Sequence, residues 1–259
     1  MRQRPLVVAH RGSSYARAEH TLGAYLRALD EGADGLECDV RLTRDGHLVC
    51  VHDRTVDRTS SGHGVVSDFD LDDLHALDFG SWHAGPDGPG GGYIEDRDST
   101  EAPVLTLERL VEVVASTEVR LLVETKHPTR YAGLVEQKLV ALLERHGMIG
   151  AQSPVTVMSF SPVALRRIRL LAPMLPTVQL YRHLPVRRRD GSLPAAADVA
   201  GPSVELLRTY PGYVRRVHRA GGRVYVWTVD EPEDIDLVLG LGVDAVITNR
   251  PSDVLARLR

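Results

Sequence analysis

Short apolar runs alternate along the whole chain with segments in which apolar residues recur at helical spacing. In two of the helical segments the apolar positions follow an i, i+3, i+4, i+7 pattern, which predicts one buried stripe on each helix: Leu22, Tyr25, Leu26 and Leu29, and Leu107, Leu110, Val111 and Val114. Eight apolar runs read as strands: Leu6–His10, Gly35–Asp39, Arg120–Glu124, Val155–Ser159, Thr177–Tyr181, Ser203–Leu207, Arg223–Thr228 and Ala245–Thr248. This alternation predicts parallel strands that are joined by crossover helices.

Eight such strand-helix units in 259 residues fit the usual size of a (β/α)8 TIM barrel, so we expect one α/β barrel domain over residues 1–259. The strands are almost continuously apolar, as expected for a sheet that is covered on both sides. A doubly wound open sheet is the alternative, because periodicity alone does not show whether the sheet closes.

Two segments interrupt the alternation. Residues 54–103 follow the hairpin of the second strand and include the flexible stretch Gly85–Gly92. A structureless loop of that length is uncommon, so we expect a small insertion subdomain over the active-site face, with a short helix at Ser67–Leu77. The second interruption, His183–Pro202, carries three consecutive arginines at 187–189. Such a triplet is typical of a solvated loop, with a phosphate or partner contact as the alternative.

Composition restricts the classes of partner. The 31 basic and 35 acidic residues give a net charge of −4, so no bulk attraction to nucleic acid or to an anionic membrane is expected. No apolar run approaches the roughly 18 residues of a membrane span, which predicts no integral membrane association. The two cysteines, Cys38 and Cys50, cannot form a disulfide framework and favour a reducing, cytoplasmic location.

Carboxylates stand at the ends of the second and third predicted strands. Side chains alternate faces along a strand, so Glu37 and Asp39 point to one side and Cys38 to the other. Glu124 ends the next strand, and three carboxylates at one barrel mouth would repel each other unless a cation neutralised them. Oxygen ligands select Mg²⁺ or Ca²⁺, with Mn²⁺ as a further option. The alternative is a metal-free ion network with Arg11 or Lys126.

A hairpin brings a histidine back to this position. Asp45-Gly46 predicts a two-residue turn, in which Asp39 would lie opposite His52. In that register Cys50 would lie on the Asp39 face and Cys38 on the opposite face, which argues against a disulfide between them.

The set of side chains at the strand ends suits cleavage of a phosphate ester. Arg11 and Lys126 could bind phosphate oxygens, and His10 and His52 could share the two proton transfers near neutral pH. The sequence has no P-loop and no Gly-x-Ser-x-Gly elbow.

Taken in order, these segments resemble the glycerophosphodiester phosphodiesterase family over nearly the whole chain. The segments that carry the resemblance are His10-Arg11-Gly12, Glu19-His20-Thr21, Glu37-Cys38-Asp39-Val40, Leu42-Thr43-Arg44-Asp45-Gly46, His52-Asp53, Glu124-Thr125-Lys126, Trp227-Thr228-Val229 and Thr248-Asn249. The resemblance implies hydrolysis of small-molecule glycerophosphodiesters to glycerol 3-phosphate and an alcohol, with one divalent cation, Mg²⁺ or Ca²⁺.

The resemblance also implies roles for individual residues. Glu37, Asp39 and Glu124 would be the metal ligands, His10 the general base and His52 the general acid. Arg11 and Lys126 would contact the phosphate, and Phe160 and Trp227 would line the wall beside the glycerol or the alcohol. For Trp227 the alternative is ordinary core packing.

One segment departs from the family pattern. Where the family usually has Pro-Glu-Asn-Thr, this chain has Ala18-Glu19-His20-Thr21, a change that concerns substrate detail more than catalysis. Other activities that the residues leave open are lysophospholipase D-type hydrolysis of lysophospholipids, metal-dependent aldolase or enolase chemistry, and a non-catalytic barrel that binds a phosphorylated metabolite.

Overall fold

The computed structural model describes residues 4–83 and 102–259. Its strands are β1 Leu6–His10, β2 Gly35–Leu42, β3 Leu48–Cys50, β4 Arg120–Thr125, β5 Val155–Ser159, β6 Thr177–Tyr181, β7 Val199–Pro202, β8 Arg223–Val226 and β9 Ala245–Thr248. Its α-helices are α1 Leu22–Asp30, α2 Leu71–His75, α3 Leu107–Ala115, α4 Leu134–Arg145, α5 Pro162–Leu171, α6 Val204–Thr209, α7 Gly212–Arg219, α8 Pro232–Leu241 and α9 Pro251–Arg257. Short 3₁₀ helices lie at Val66–Asp68 and Val186–Arg188.

Eight parallel strands close into a barrel. They follow the ring order β1, β2, β4, β5, β6, β7, β8, β9, and β1 pairs with both β2 and β9. The antiparallel β3 pairs with β2 beyond the ring. The predicted (β/α)8 barrel is therefore confirmed, and the open doubly wound sheet is excluded.

Side chains alternate along each strand between the barrel interior and the layer that packs against the helices. Side chains from neighbouring strands fill the barrel interior, among them Val8, Leu122 and Val178. Leu36 and Cys38 of β2 face the helices instead, where they pack with apolar residues of α1, α3 and α4. Because Glu37 and Asp39 occupy the intervening positions of β2, they belong to the interior face.

The sixth barrel strand, β7, was predicted in the wrong place. The segment Ser203–Leu207 is not a strand: Ser203 caps helix α6, its side chain accepting a hydrogen bond from the backbone N–H of Leu206. The strand is Val199–Pro202, a short segment that includes Ala200 and Gly201 and has too few large apolar side chains to read as a strand.

Other predicted boundaries differ by a few residues. Strand β2 continues to Leu42, and β8 ends at Val226, before the predicted limit at Thr228. The stripe of α3 is fully buried as predicted, whereas Leu26 of α1 is 45% exposed because Ala24, Tyr25 and Ala28 form the buried face of that helix.

The hairpin register is one residue away from the prediction. Val40 lies opposite Cys50, so Asp39 lies opposite Val51 and not His52. The cause is a three-residue loop, residues 44–46, with Gly46 at a φ of +88°. Cys50 therefore shares the outer face with Cys38, and both thiols are buried and unbridged.

The described part of the insertion has a small core of its own. Val49 and Val51 of the hairpin pack there against Val56, Leu74 and Phe79. The predicted helix at Ser67–Leu77 is divided into the 3₁₀ helix at Val66–Asp68 and the helix α2. The predicted flexible stretch Gly85–Gly92 lies outside the described residues.

No helix in the described ranges is long and apolar enough to cross a membrane.

Candidate active site

Three buried carboxylates meet at the carboxyl ends of β2 and β4. Glu37 and Asp39 project from the interior face of β2, and Glu124 lies on β4 directly beside Asp39 in the parallel register. One oxygen of each carboxylate lies within 4.8 Å of the others, and the three residues are 1%, 0% and 7% exposed. The structure thus brings together the three carboxylates that the sequence pattern singles out.

Two cations contact this cluster. Lys126 Nζ lies 2.9 Å from Asp39 Oδ1 and 2.9 Å from Glu124 Oε1, and Arg11 Nε lies 3.0 Å from Asp39 Oδ2. Glu37 instead accepts the backbone N–H of Arg11 at 3.1 Å. Part of the alternative ion network is therefore present, but Arg11 and Lys126 can neutralise only two of the three carboxylates when all three are ionised.

Burial and mutual repulsion distribute protons unevenly over the cluster. Burial, together with the neighbouring charge of Asp39, raises the pKa of Glu37 well above its ordinary value and that of Glu124 to about 7. For Asp39, burial acts in the same direction, but the charges of Lys126 and Arg11 outweigh it and hold the pKa well below the ordinary range. Bringing all three groups to the ionised state therefore calls for additional positive charge.

The donor set fits a hard divalent cation. All three groups offer carboxylate oxygens, the ligands that Mg²⁺ and Ca²⁺ prefer. One of these oxygens, Asp39 Oδ1, already has the Lys126 ammonium 2.9 Å away. A cation held by the three carboxylates would therefore share the cluster with Lys126.

His10 lies beside Glu37 and is oriented by the end of the chain's last strand. Its Nδ1 is 2.7 Å from Asn249 Oδ1, and Asn249 Nδ2 donates to Asp230 at 2.6 Å. Because this pair fixes the amide orientation, Asn249 Oδ1 accepts and His10 Nδ1 carries the proton. The other nitrogen, Nε2, lies 3.9 Å from Glu37 Oε2 and presents a lone pair. Burial, with the charge of Arg11, lowers the pKa of His10 to about 3, so the ring is neutral.

His52 has a carboxylate partner. Its Nδ1 lies 2.7 Å from Asp53 Oδ1, and Arg58 binds the other oxygen of Asp53 at 2.6 Å. Burial lowers the pKa of His52, and the charges of Arg11 and Lys126 add to that effect, while Asp39 and Asp53 oppose it. These charges place His52 in the electrostatic environment of the carboxylate cluster despite the shifted hairpin register.

His20, where the sequence departs from the family pattern, bonds directly to the cluster. Its Nε2 is 3.0 Å from Asp39 Oδ2, and its Nδ1 is 2.8 Å from the Tyr25 hydroxyl. The ring is 6% exposed, and burial lowers its pKa. A neutral His20 with its proton on Nε2 therefore donates to Asp39, while the Tyr25 hydroxyl donates to Nδ1 or to the Glu37 carbonyl.

Salt bridges hold the loop after β1 against the insertion. Arg11, at a φ of +60°, donates to Glu19 at 2.9 Å, and Arg58 binds the two oxygens of Glu19 at 2.8 Å each. Arg58 also binds Asp53. A continuous series of salt bridges therefore connects Arg11, which contacts the carboxylate cluster, with Asp53, which contacts His52.

Two aromatic residues stand at strand ends farther round the barrel. Phe160 follows β5 and Trp227 follows β8, and their rings meet edge to face with centroids 5.3 Å apart. Trp227 Nε1 donates to the carbonyl of Gly201 at 2.8 Å, and its ring is only partly buried. Trp227 thus packs against the barrel core and keeps part of its ring exposed.

The side chains that orient the histidines were missed in the sequence pattern. These are Asp53, Arg58, Asn249, Asp230 and Tyr25. Asn249 and Asp53 lie within the short segments that carry the family resemblance, and their place in those segments could have identified them as site residues. Nothing in the spacing indicates that Arg58 or Asp230 would return to the site.

Comparisons with known proteins show the family to which the chain belongs. A family model described as the glycerophosphoryl diester phosphodiesterase family matches residues 10–253. The chain is 48% identical, over 98% of its length and 92% of the relative's, to "Probable glycerophosphodiester phosphodiesterase 1" of Mycobacterium tuberculosis. It is 35% identical to the glycerophosphodiester phosphodiesterase of Bacillus subtilis, over 96% of this chain and 84% of that one.

Solved structures share the fold. The glycerophosphodiester phosphodiesterase of Agrobacterium tumefaciens superimposes with a TM-score of 0.78 at 25% identity, covering 97% of this chain and 99% of that one. A phosphodiesterase of Oleispira antarctica, in complex with its product sn-glycerol-3-phosphate, gives a TM-score of 0.83 at 24% identity, covering 98% and 97% of the two chains.

Proposed function

Because the chain belongs to the glycerophosphoryl diester phosphodiesterase family, a family of phosphodiester hydrolases, we propose that it hydrolyses small glycerophosphodiesters to glycerol 3-phosphate and an alcohol. The observation that carries this proposal is the meeting of three buried carboxylates with His10, Arg11 and Lys126 at a single end of the barrel. His52 follows β3, the strand that pairs with β2.

Glu37, Asp39 and Glu124 are the residues that would hold a divalent cation, Mg²⁺ or Ca²⁺. Such an ion, when bound, stabilises the negative charge that develops on the phosphoryl oxygens. Arg11 and Lys126 keep the remaining charge of the cluster low and can contact the phosphate, Arg11 through its planar fork and Lys126 as a point charge.

The two histidines divide the proton transfers. His10, neutral and with its lone pair on Nε2 toward Glu37, takes the proton of the attacking hydroxyl, whether that belongs to water or to the neighbouring glycerol hydroxyl. His52 gives a proton to the departing alkoxide, and Asp53 stabilises the imidazolium form that makes this possible. Addition of one water across the phosphate ester bond completes the balance, and each histidine returns to its starting state.

The insertion, residues 54–103, covers the active-site face in this proposal. Support comes from Arg58, which binds both Glu19 and Asp53 next to the site. Phe160 and Trp227 form the opposite wall, beside the glycerol or the alcohol. A cytoplasmic location remains a prediction from the cysteine content.

Release of glycerol 3-phosphate from glycerophosphocholine tests the proposal. We expect hydrolysis that EDTA stops and that Mg²⁺ or Ca²⁺ restores, each cation being added separately to identify the preferred one. A parallel arm with a lysophosphatidylcholine of one long acyl chain tests lysophospholipase D action. Absence of turnover on every diester with either cation would contradict the proposed function.

A further inference from the structure

Positive charge is concentrated in one part of the barrel wall. Residues 182–223 contain nine arginines and three acidic residues, although the whole chain carries a net charge of −4. The nine are Arg182, Arg187, Arg188, Arg189, Arg208, Arg215, Arg216, Arg219 and Arg223. The site described above does not use any of them.

Two of these arginines line a cavity of about 680 Å³. Arg182 lies over the ring of Trp227 at 5.6 Å from its centroid, and Arg189 lies over Tyr210 at 5.3 Å. Stacking of this kind orients a guanidinium and leaves its N–H groups free to bind a planar or tetrahedral anion. Glu205 is the single acidic residue among those that line this cavity in the described chain.

Neither cavity arginine is neutralised. Within the described ranges, neither Arg182 nor Arg189 forms an ion pair with a carboxylate. Arg189 donates a hydrogen bond to the Tyr210 hydroxyl at 3.4 Å. A second cavity, of about 540 Å³, is lined by Arg41, Arg54 and Arg130, of which Arg130 pairs with Asp68 at 2.6 Å. The cavity beside Trp227 differs because both of its arginines are stacked on aromatic rings.

This cavity lies at the same end of the barrel as the proposed catalytic site, because its lining residues follow the carboxyl ends of β6, β7 and β8. Trp227 and Thr228, which line it, follow the carboxyl end of β8, and the Trp227 ring contacts Phe160 at the end of β5. A diester whose phosphate lies at the carboxylate cluster has two arms. The glycerol arm carries only hydroxyl groups, so two unpaired arginines suit an anionic group on the other arm.

We propose that Arg182 and Arg189 form a subsite for a phosphate monoester on the alcohol arm, so that glycerophosphodiesters whose alcohol carries a second phosphate are the preferred substrates. This inference rests on the proposed function. The dianionic charge of a phosphate monoester matches the two guanidinium groups, which can bind its oxygens through charge-assisted hydrogen bonds.

Three substrates that share the glycerophosphate half test the subsite: glycerophosphoglycerol, the same compound with a phosphate on its terminal hydroxyl, and glycerophosphocholine. We expect kcat/KM for the phosphorylated compound to exceed the other two by about 10- to 100-fold, mainly through a lower KM. In the double variant Arg182→Gln/Arg189→Gln this preference should disappear, because kcat/KM for the phosphorylated compound should fall to that of glycerophosphoglycerol in the same variant. Arg182→Lys should restore part of the preference, because it keeps the charge without the planar fork.

The matched control is Arg219→Gln, which removes the same charge from an exposed position of α7 outside the cavity. It should keep the full preference at the same ionic strength. Equal kcat/KM values for the three substrates in the wild type, or an equal loss on all three in the double variant, would overturn the subsite alone. Failure to hydrolyse any of the three with Mg²⁺ or Ca²⁺ would overturn the proposed function and the subsite with it.

Discussion

At the scale of single residues, the site depends on how neighbouring side chains fix the protons of its histidines. Asn249 determines which nitrogen of His10 carries hydrogen, because its own amide is oriented by Asp230. Asp53 does the same for His52. Two rings of identical chemistry are thereby placed in different electrostatic environments, which is what a division into base and acid requires.

Replacing either ring tests the division of roles. In His10→Ala or His52→Ala we expect the hydrolysis rate to fall by roughly 10² to 10⁴ while the fold is kept, since each variant removes a general base or acid. Steady-state kinetics on glycerophosphocholine, with circular dichroism to verify the fold, measure this. The matched control is His218→Ala, whose ring pairs with Asp244 at the other end of the barrel. Full activity of either site variant would refute its assigned role.

We expect His20 to orient Asp39, one of the proposed metal ligands, without contacting substrate. Its Nε2 donates to Asp39 at 3.0 Å in a buried position, so His20→Ala removes one of the groups that orient this carboxylate. Loss of such an orienting partner typically lowers metal affinity by 10- to 100-fold. Calorimetric titration with Mg²⁺ and Ca²⁺ measures that loss directly. His20→Asn keeps a donor at the position and should retain most of the affinity; unchanged affinity in the alanine variant would remove His20 from this role.

Glu19 makes part of the stability dependent on pH. Burial opposes its ionisation, but the hydrogen bonds of Arg58 and the charge of Arg11 outweigh that effect and lower its pKa to about 2. A carboxylate with a depressed folded-state pKa stabilises the protein above its ordinary pKa of 4.5, and this contribution is lost as the pH falls toward 2. Because Arg58 is 45% exposed, we expect Glu19→Gln to lower the free energy of unfolding at pH 7 by roughly 1–2 kcal/mol.

Urea unfolding of this variant at pH 7 and at pH 3 gives the comparison. The difference from the wild type should shrink at the lower pH. Glu118→Gln removes an exposed glutamate outside the site and serves as the control. A deficit of the same size at both pH values would show that Glu19 acts through packing and not through its charge.

At the scale of elements, strand positions are predicted best where a long apolar run ends in charged residues. The strands that carry Glu37 and Glu124 begin where the pattern places them. The β2–β3 hairpin has the turn residues of a two-residue loop, but Gly46 adopts its left-handed conformation as the last residue of a three-residue loop. The length of the hairpin loop depends on contacts outside the turn, and local residue preferences carry no information about those contacts.

Strand β7 was missed because it contains small residues of low strand propensity, which close packing against β6 requires. A Cβ on Gly201 would lie 2.7 Å from Leu180 Cδ2 and 2.8 Å from Val178 Cγ1. We therefore expect Gly201→Ala to destabilise the protein by about 1–3 kcal/mol through overpacking, measured by denaturant unfolding. Gly240 in α8 has open space around it, so Gly240→Ala should instead be neutral or stabilise by up to about 1 kcal/mol. Equal effects of the two substitutions would contradict the close approach at Gly201.

At the scale of the whole molecule, barrel closure is what completes the site. The sequence could place reactive residues at strand ends, but not the contact of His10 with Asn249, which arises only because β1 pairs with β9 across the full length of the chain. Nor could it predict Arg58, whose side chain reaches Glu19 and Asp53 from the insertion. These contacts join segments whose relative position the closed barrel alone determines.

The same closure makes stability and cation binding interdependent. Glu37 and Asp39 on β2 and Glu124 on β4 come together only in the folded barrel, so the proposed cation would bind the folded chain and not the unfolded one. Free cation at 100 times its Kd should then add about 2.7 kcal/mol to the free energy of unfolding, and Tm should rise by several degrees. In Glu124→Gln, which removes one charged ligand, the same rise should need a higher cation concentration, whereas Glu118→Gln should follow the wild type. Thermal unfolding at increasing Mg²⁺ and Ca²⁺ measures both, and identical curves for Glu124→Gln and the wild type would strike Glu124 from the ligands.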